Sequence, residues 1–253
     1  MIMMMTSIVN GVLRIYVDHC CITDAMMLFD ELVKPDVVTW NIIISALGGN
    51  GFINHAWNYY EKLLDLEINP NSHTIIAILI VCKDESYLNL GRSLHGYAMK
   101  HGIEVNTSIE LPTALVEMYM NCADEATARS LFDRCSNRDV ILWNSLIASY
   151  VRNNLTNEAL SLFKLMILEQ EPDSVTIIYI LSSCVEVASL PLGKCLHAYT
   201  IRKDYLGGLN LSLANALLSM YARCGSMQNA EKIFERIQHK NISSWNALVA
   251  GYG

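Results

Sequence analysis

Residues 211–246, LSLANALLSMYARCGSMQNAEKIFERIQHKNISSWN, decide the fold, because the pattern they carry is present three times. The first copy, NGVLRIYVDHCCITDAMMLFDELVKPDVVTWN, ends at Asn41. The second, TALVEMYMNCADEATARSLFDRCSNRDVILWN, ends at Asn144. Each closes on a Trp-Asn pair, at Trp40-Asn41, Trp143-Asn144 and Trp245-Asn246, in steps of 103 and 102 residues (143 − 40 and 245 − 143). A Tyr, a small-to-aromatic step and a Trp-Asn pair do not align three times by chance. The chain is a repeat array, and that governs every other reading.

A finer period lies inside the long one. A small residue is followed four positions later by a ring at Ala25/Phe29, Ala56/Tyr60, Gly91/His95, Ala128/Phe132, Ala159/Phe163, Gly193/His197 and Ala230/Phe234. The spacing between successive small residues is 31–37 residues. Each unit reads as two helices. In residues 37–71, Trp40, Ile43, Ile44 and Leu47 follow the i, i+3, i+4, i+7 rule. Gly48, Gly49 and Gly51 break that pattern, and Ala56, Tyr59, Tyr60, Leu63 and Leu64 resume it. Pro70 stops the second helix, as Pro172 does in the unit 140–173. Two helices that cross closely need a small residue at the contact, with a ring one turn on to fill the gap beside it. A lone hairpin leaves an apolar face bare, and stacking covers it.

The predicted fold is therefore all-α, a right-handed α-solenoid of stacked helix-turn-helix repeats forming a single array over residues 6–253. Its units are 6–36, 37–71, 72–108, 109–139, 140–173, 174–210 and 211–241, with a partial unit at 242–253. The last unit holds only a first helix, and Trp245, Leu248 and Val249 lack a covering partner. The expectation is a fragment of a longer array, since arrays normally end in a polar cap.

Composition narrows the function. At 52% hydrophobic and 17% charged, the chain has the makeup of a folded protein. Its net charge of −7 argues against a partner held by bulk electrostatics, without excluding a local basic groove. Eight Cys form no C-x-x-C, and Cys82/Cys184 and Cys122/Cys224 occupy equivalent repeat positions too far apart to converge on zinc. They read as small apolar side chains in a reducing compartment. The start, MIMMMTSIVN, has neither a signal-peptide pattern nor Arg/Ser-rich transit character. The run TIIAILIVC at residues 74–82 is too short to span a bilayer. No G-x-S-x-G, P-loop, G-x-G-x-x-G, or H-x-E with C-x-x-C is present, so no catalytic residue, metal site or cofactor is assigned. His95 and His197 sit at the ring position of their units and read as packing residues.

Specific segments carry a family resemblance. VVTWNIIISALGGNG and AWNYYEKLLDLEINPN in residues 37–71 resemble the standard motif of the pentatricopeptide repeat family. LNLGRSLHGYAMKHGIE (88–104) and LPLGKCLHAYTIRKDY (190–205) resemble its long motif, and NALLSMYARCGSMQNAEKIFERI (215–237) its short one. The order short, standard, long is that of the plant subfamily that alternates three motif lengths. The tetratricopeptide signature W-x2-L-G-x2-Y is absent.

The resemblance implies binding of single-stranded RNA at one base per repeat, with the N-terminus toward the RNA 5′ end, in a mitochondrion or chloroplast. It implies base-reading pairs at Asn10 with Asp36, Asn41 with Asn71, Thr113 with Asp139, Asn144 with Asp173, and Asn215 with Asn241. Under the family's code these favour 5′-U-C-x-G-U-x-C-3′. The long units, with Ile76 and Ile178 at the first position, read no base. Val38 and Ile141 are the candidates for base sandwiching. Pro112, just ahead of Thr113, falls where the first helix of its unit starts and is tolerable there. Such a protein would be the address in organellar RNA processing or C-to-U editing, with a deaminase or editing factor supplying the chemistry in trans. Two other readings stand beside it: a protein-binding helical scaffold, and a truncated non-functional fragment. Asp or Asn ahead of a helix is also a common N-cap, and both roles can coexist.

Overall fold

The computed structural model describes residues 2–103, 109–205 and 210–252, with side chains from residue 7 onward. The end of the 72–108 unit, part of 174–210 and Gly253 fall outside the described residues. The chain divides into two compact units, Met1–Arg138 and Asp139–Gly253. Both are helical throughout their ordered elements, and no strand occurs among the described residues.

The first unit pairs α1 (Ile2–Asp18) with α2 (Ile22–Asp30), α3 (Val37–Gly49) with α4 (Ile53–Asp65), α5 (Ser72–Leu79) with α6 (Leu88–Lys100), and α7 (Glu110–Asn121) with α8 (Glu125–Arg134). The second pairs α9 (Val140–Arg152) with α10 (Thr156–Glu169), α11 (Ser174–Glu186) with α12 (Leu190–Arg202), and α13 (Leu211–Arg223) with α14 (Met227–Arg236), followed by α15 (Ile242–Tyr252). Within each unit the first helices form one layer: α1, α3, α5 and α7 pack in sequence, as do α9, α11, α13 and α15. The second helices form the other layer. Several lie against both their own partner and the next first helix, as α2 does with α1 and α3, and α10 with α9 and α11. This is the stacked-hairpin solenoid that the period predicts.

The small residues sit where the helices touch. Ala25, Ala56, Ala128, Ala159 and Ala230 are fully buried. In the long hairpins the contact is closer. A Cβ on Gly91 would stand 2.2 Å from the Met118 sulfur, and one on Gly193 2.3 Å from that of Met220. The ring one turn on reaches the next hairpin. Phe29 meets Trp40 edge-on with centroids 4.7 Å apart, and Tyr59 closes that cluster at 5.2 Å from Phe29. Phe234 meets Trp245 in the same way at 4.8 Å. His95 and His197 take this place in the long hairpins, each with Nδ1 2.9 Å from a tyrosine hydroxyl, Tyr119 and Tyr221 respectively. Burial holds both imidazoles below the usual histidine range, and Arg134 and Arg236 push them the same way.

The helix ends repeat as regularly as the contacts. Among the described residues, nine first or second helices finish on a residue with positive φ two positions past the last helical one: Cys20, Gly51, Glu67, Gly102, Ala123, Asn154, Ala188, Asp204 and Gly225. The next amide then returns to a carbonyl in the last turn, as Phe52 does to Leu47 at 2.9 Å and Ser189 to Cys184 at 2.9 Å. These are Schellman-type stops, which satisfy carbonyls the helix would otherwise orphan.

One expectation needs correction. The break after α3 starts later than the glycine cluster implies. Gly48 and Gly49 are helical, and Gly48 is buried where a Cβ would touch Val81 at 3.4 Å, so it serves the close approach of α3 to α5. Helix α7 begins at Glu110, ahead of Thr113, with Pro112 inside its first turn. Proline fits there because an N–H in the first turn has no intrahelical acceptor. Cys82, Cys122, Cys135 and Cys184 are buried free thiols. Burial pushes the Cys82 thiol up to about 12, with Cys122 adding to the shift, and Cys184 up to about 12 with Cys224 beside it. Cys224 Sγ donates to the Cys184 carbonyl at 3.8 Å. Among the described residues no group of three or more His, Cys, Asp or Glu could hold a metal ion.

Candidate nucleic-acid interface

Four of the predicted pairs join a residue of one first helix to the cap of the next. The second member of every pair is an N-cap. Asp36, Asn71, Asp139 and Asp173 all have extended backbone and accept from the amide three residues on. Asn241 accepts from Ser244 N at 3.0 Å. Capping holds each of these side chains in one rotamer, so its remaining polar atoms have a fixed direction.

In four pairs the structure brings the first member to the cap. Asn41 Nδ2 donates to Asn71 Oδ1 at 3.2 Å, Asn144 Nδ2 to Asp173 Oδ1 at 3.1 Å, and Asn215 Nδ2 to Asn241 Oδ1 at 3.2 Å. Asn10 and Asp36 share the Thr39 hydroxyl, which lies 2.8 Å from Asn10 Oδ1 and 2.7 Å from Asp36 Oδ1. Burial works to raise the Asp36 carboxyl. Hydrogen bonds from the Thr39 amide and hydroxyl and from Asn10 outweigh it and hold the group below the usual carboxylate range. The fifth pair differs. Thr113 lies in the first unit and donates its hydroxyl to its own helix at Ile109 O, 2.7 Å. Asp139 opens the second unit and accepts from Leu142 N at 2.9 Å.

A third residue recurs that the pair reading does not contain. Three positions after the cap stands a fully buried hydroxyl: Thr39, Thr74, Thr176 and Ser244. Thr176 Oγ1 donates to Asn144 Oδ1 at 2.6 Å and also lies 2.9 Å from Asp173 Oδ1. Ser244 Oγ stands 2.7 Å from Asn215 Oδ1 and 3.0 Å from Asn241 Oδ1. Thr74 Oγ1 reaches Asn71 Oδ1 at 3.1 Å, whereas Asn41 Oδ1 is buried with no hydrogen-bond partner. The signal is visible in the sequence as Asp/Asn-x-x-Thr/Ser, the spacing of a capping box. At Asp139 the corresponding residue is Leu142, which is apolar and buried.

The readers Asn41, Thr113, Asn144 and Asn215 are half-buried, so each is held by the protein and still reachable. The sandwich candidates stand outside the core, Val38 44% and Ile141 66% exposed, both in the first turn of a first helix beside its cap. Ile76 and Ile178 are half-buried aliphatic side chains at the reading position and offer a base no hydrogen bond. The arrangement presents amide and hydroxyl groups of fixed orientation, with aliphatic side chains alongside. That is the chemistry needed to test the hydrogen-bonding edge of an unpaired base.

Known proteins share the repeat sequence and the fold. A family model described as the PPR repeat family matches residues 35–83, and the PPR repeat model matches 141–170 and 213–242. A mitochondrial pentatricopeptide repeat-containing protein of Arabidopsis thaliana is 36% identical over 97% of this chain and 35% of its own length. A chloroplastic one from the same plant is 31% identical over 96% of this chain and 30% of its own. The chain thus spans about a third of the curated relatives it matches. Among solved structures, the pentatricopeptide repeat protein PPR10 in complex with an 18-nt psaJ RNA element superimposes with a TM-score of 0.70. That match covers 98% of this chain and 37% of the other at 17% identity. PPR10 from maize matches at a TM-score of 0.59 and 20% identity, over 96% of this chain and 41% of the other.

Proposed function

Because this chain belongs to the pentatricopeptide repeat family, we propose that it binds single-stranded RNA at one base per hairpin, as one continuous array of the plant type with three alternating motif lengths. The observation that carries this reading is the recurrence of one hydrogen-bonded set. A polar reader from one first helix is held by the cap, and in most cases by the hydroxyl, of the next. Packing alone does not require Asn or Thr at one position and Asp or Asn at the other in every short and standard hairpin. The likeness to a protein solved with bound RNA supports the same reading.

The array reads 5′-U-C-x-G-U-x-C-3′ with its N-terminus toward the 5′ end. Asn10 with Asp36 takes the first U, Asn41 with Asn71 the first C, Thr113 with Asp139 the G, Asn144 with Asp173 the second U, and Asn215 with Asn241 the last C. Thr113 fits guanine, since its proton is spent on Ile109 O and only lone pairs remain for the donors of that base. Val38 and Ile141 flank the bases. The chain supplies the address for organellar RNA processing or C-to-U editing, in a mitochondrion or chloroplast. A deaminase or editing factor acts in trans, and the array itself does no chemistry.

A protein-binding scaffold has one observation in its favour. An open cleft of about 530 Å³ between α10 and α12 is lined by Phe163, Leu192 and Tyr199, with Ile167 and the 82%-exposed Leu168 at its edge. It lies between second helices and takes in Gln170, Glu171 and Pro172, the loop that leads to the cap Asp173.

The test is a titration at fixed salt with two short RNAs, one carrying U-C-x-G-U-x-C and the other with those five bases exchanged. Clear preference for the first is expected. Equal binding to both from folded protein would overturn base reading and leave only a nonspecific RNA surface.

A further inference from the structure

We propose that the buried hydroxyl three residues past the cap, at Thr39, Thr176 and Ser244, is a specificity-determining residue. It fixes the plane of the reader amide, so base discrimination at one hairpin is set by a Thr or Ser of the next. This rests on the base-reading function proposed above. An Asn side chain held by one hydrogen bond can swing about it and offer either a donor or an acceptor to the groove. Held at two points, it offers one donor and one acceptor in fixed directions. Asn144 is held at two: Nδ2 by Asp173 at 3.1 Å and Oδ1 by Thr176 at 2.6 Å. Asn215 is held the same way by Asn241 at 3.2 Å and Ser244 at 2.7 Å. Each then keeps one amide hydrogen and one carbonyl lone pair for the base.

Asn41 is the internal contrast. Its Nδ2 reaches Asn71, while its Oδ1 is buried and has no partner. The Thr74 hydroxyl reaches Asn71 Oδ1 instead. The hydroxyl is present in sequence, but the second point of attachment is not made. Discrimination at the second base of the site should therefore be weaker than at the fifth, and removal of the Thr74 hydroxyl should change it little.

The experiment uses the full chain and heptamer RNAs that differ from U-C-A-G-U-A-C at one base. Wild type is expected to prefer U at the fifth base by on the order of tenfold, the scale of one well-placed hydrogen-bonded pair. Thr176→Val keeps shape and burial but removes the hydroxyl. It should bring that preference to about twofold while leaving discrimination at the seventh base intact. Thr176→Ser should restore the fifth-base preference, which a merely structural role of the threonine methyl would not predict. If Thr176→Val does not fold, Ser244→Ala with variation of the seventh base carries the same test. Full discrimination by a folded Thr176→Val or Ser244→Ala variant would overturn the proposal and leave base reading standing. No base preference in wild type would overturn both.

Discussion

Asp36 shows how one side chain answers to two demands. It caps α3 through the Thr39 amide at 2.8 Å and also takes the Thr39 hydroxyl that reaches Asn10. Its carboxyl is depressed below 3.8 despite burial. A group whose folded value lies below its unfolded one adds stability above the unfolded value and loses it as pH falls through the folded one. Asp36→Asn keeps a cap of the kind seen at Asn71 and removes the charge. The stability difference between wild type and Asp36→Asn is therefore expected to move against wild type between pH 6 and pH 3, measured by urea unfolding at each pH. Parallel loss in both proteins would refute the linkage. At this scale the pairs came from the family resemblance, and the structure brings the two members of four of them into one hydrogen-bonded set. The hydroxyls show in the sequence only as capping-box spacing, and their reach to the preceding hairpin's Asn is seen only in the structure.

Helices and their order were readable because apolar spacing and small-to-ring steps encode which face is buried. Trp40, Ile43, Ile44 and Leu47 are all buried as that spacing requires, whereas Leu64, at the edge of the α4 stripe, is 40% exposed. Where the helices stop was less legible. Among the described residues, Gly51, Gly102 and Gly225 mark a left-handed stop in sequence, and six other stops use residues with a Cβ. Gly48 and Gly49 misled for the opposite reason, as small residues inside a helix serving contact and not termination. Left-handed backbone costs a non-glycine L-residue about 1–2 kcal/mol, partly offset in glycine by greater unfolded-state entropy. Ala123 and Ala188, with φ of 55° and 50°, have no side-chain polar group to compensate. Ala188→Gly and Ala123→Gly are each expected to stabilise the protein by ~0.5–1 kcal/mol, while Asn154→Gly stays near zero because Asn tolerates this region. Denaturant midpoints check this, and a lowered midpoint for Ala188→Gly would count against the stop geometry.

For the molecule as a whole, the net charge of −7 separates two kinds of RNA affinity. A protein that neutralises many phosphates loses affinity steeply with salt, by a slope of roughly 0.7 per phosphate on single strands. An acidic chain that reads base edges should make few such contacts. The expected slope of log Kd against log salt for the U-C-x-G-U-x-C RNA is below about 2, measured between 50 and 200 mM salt. A slope several times larger would assign the affinity to charge and not to the reading pairs.

The hydrogen bonds from Thr176 and Ser244 cross from the first turn of one hairpin to the reader of the hairpin before it. On the proposed base reading, the array has two frames that do not coincide. Its folding frame breaks between hairpins, and its reading frame breaks three residues later, inside the next first helix. A hairpin grafted into another array at the folding boundary would leave its own brace behind and inherit a stranger's. Joined after Thr39, Thr74, Thr176 or Ser244 instead, each graft would carry its complete letter with it.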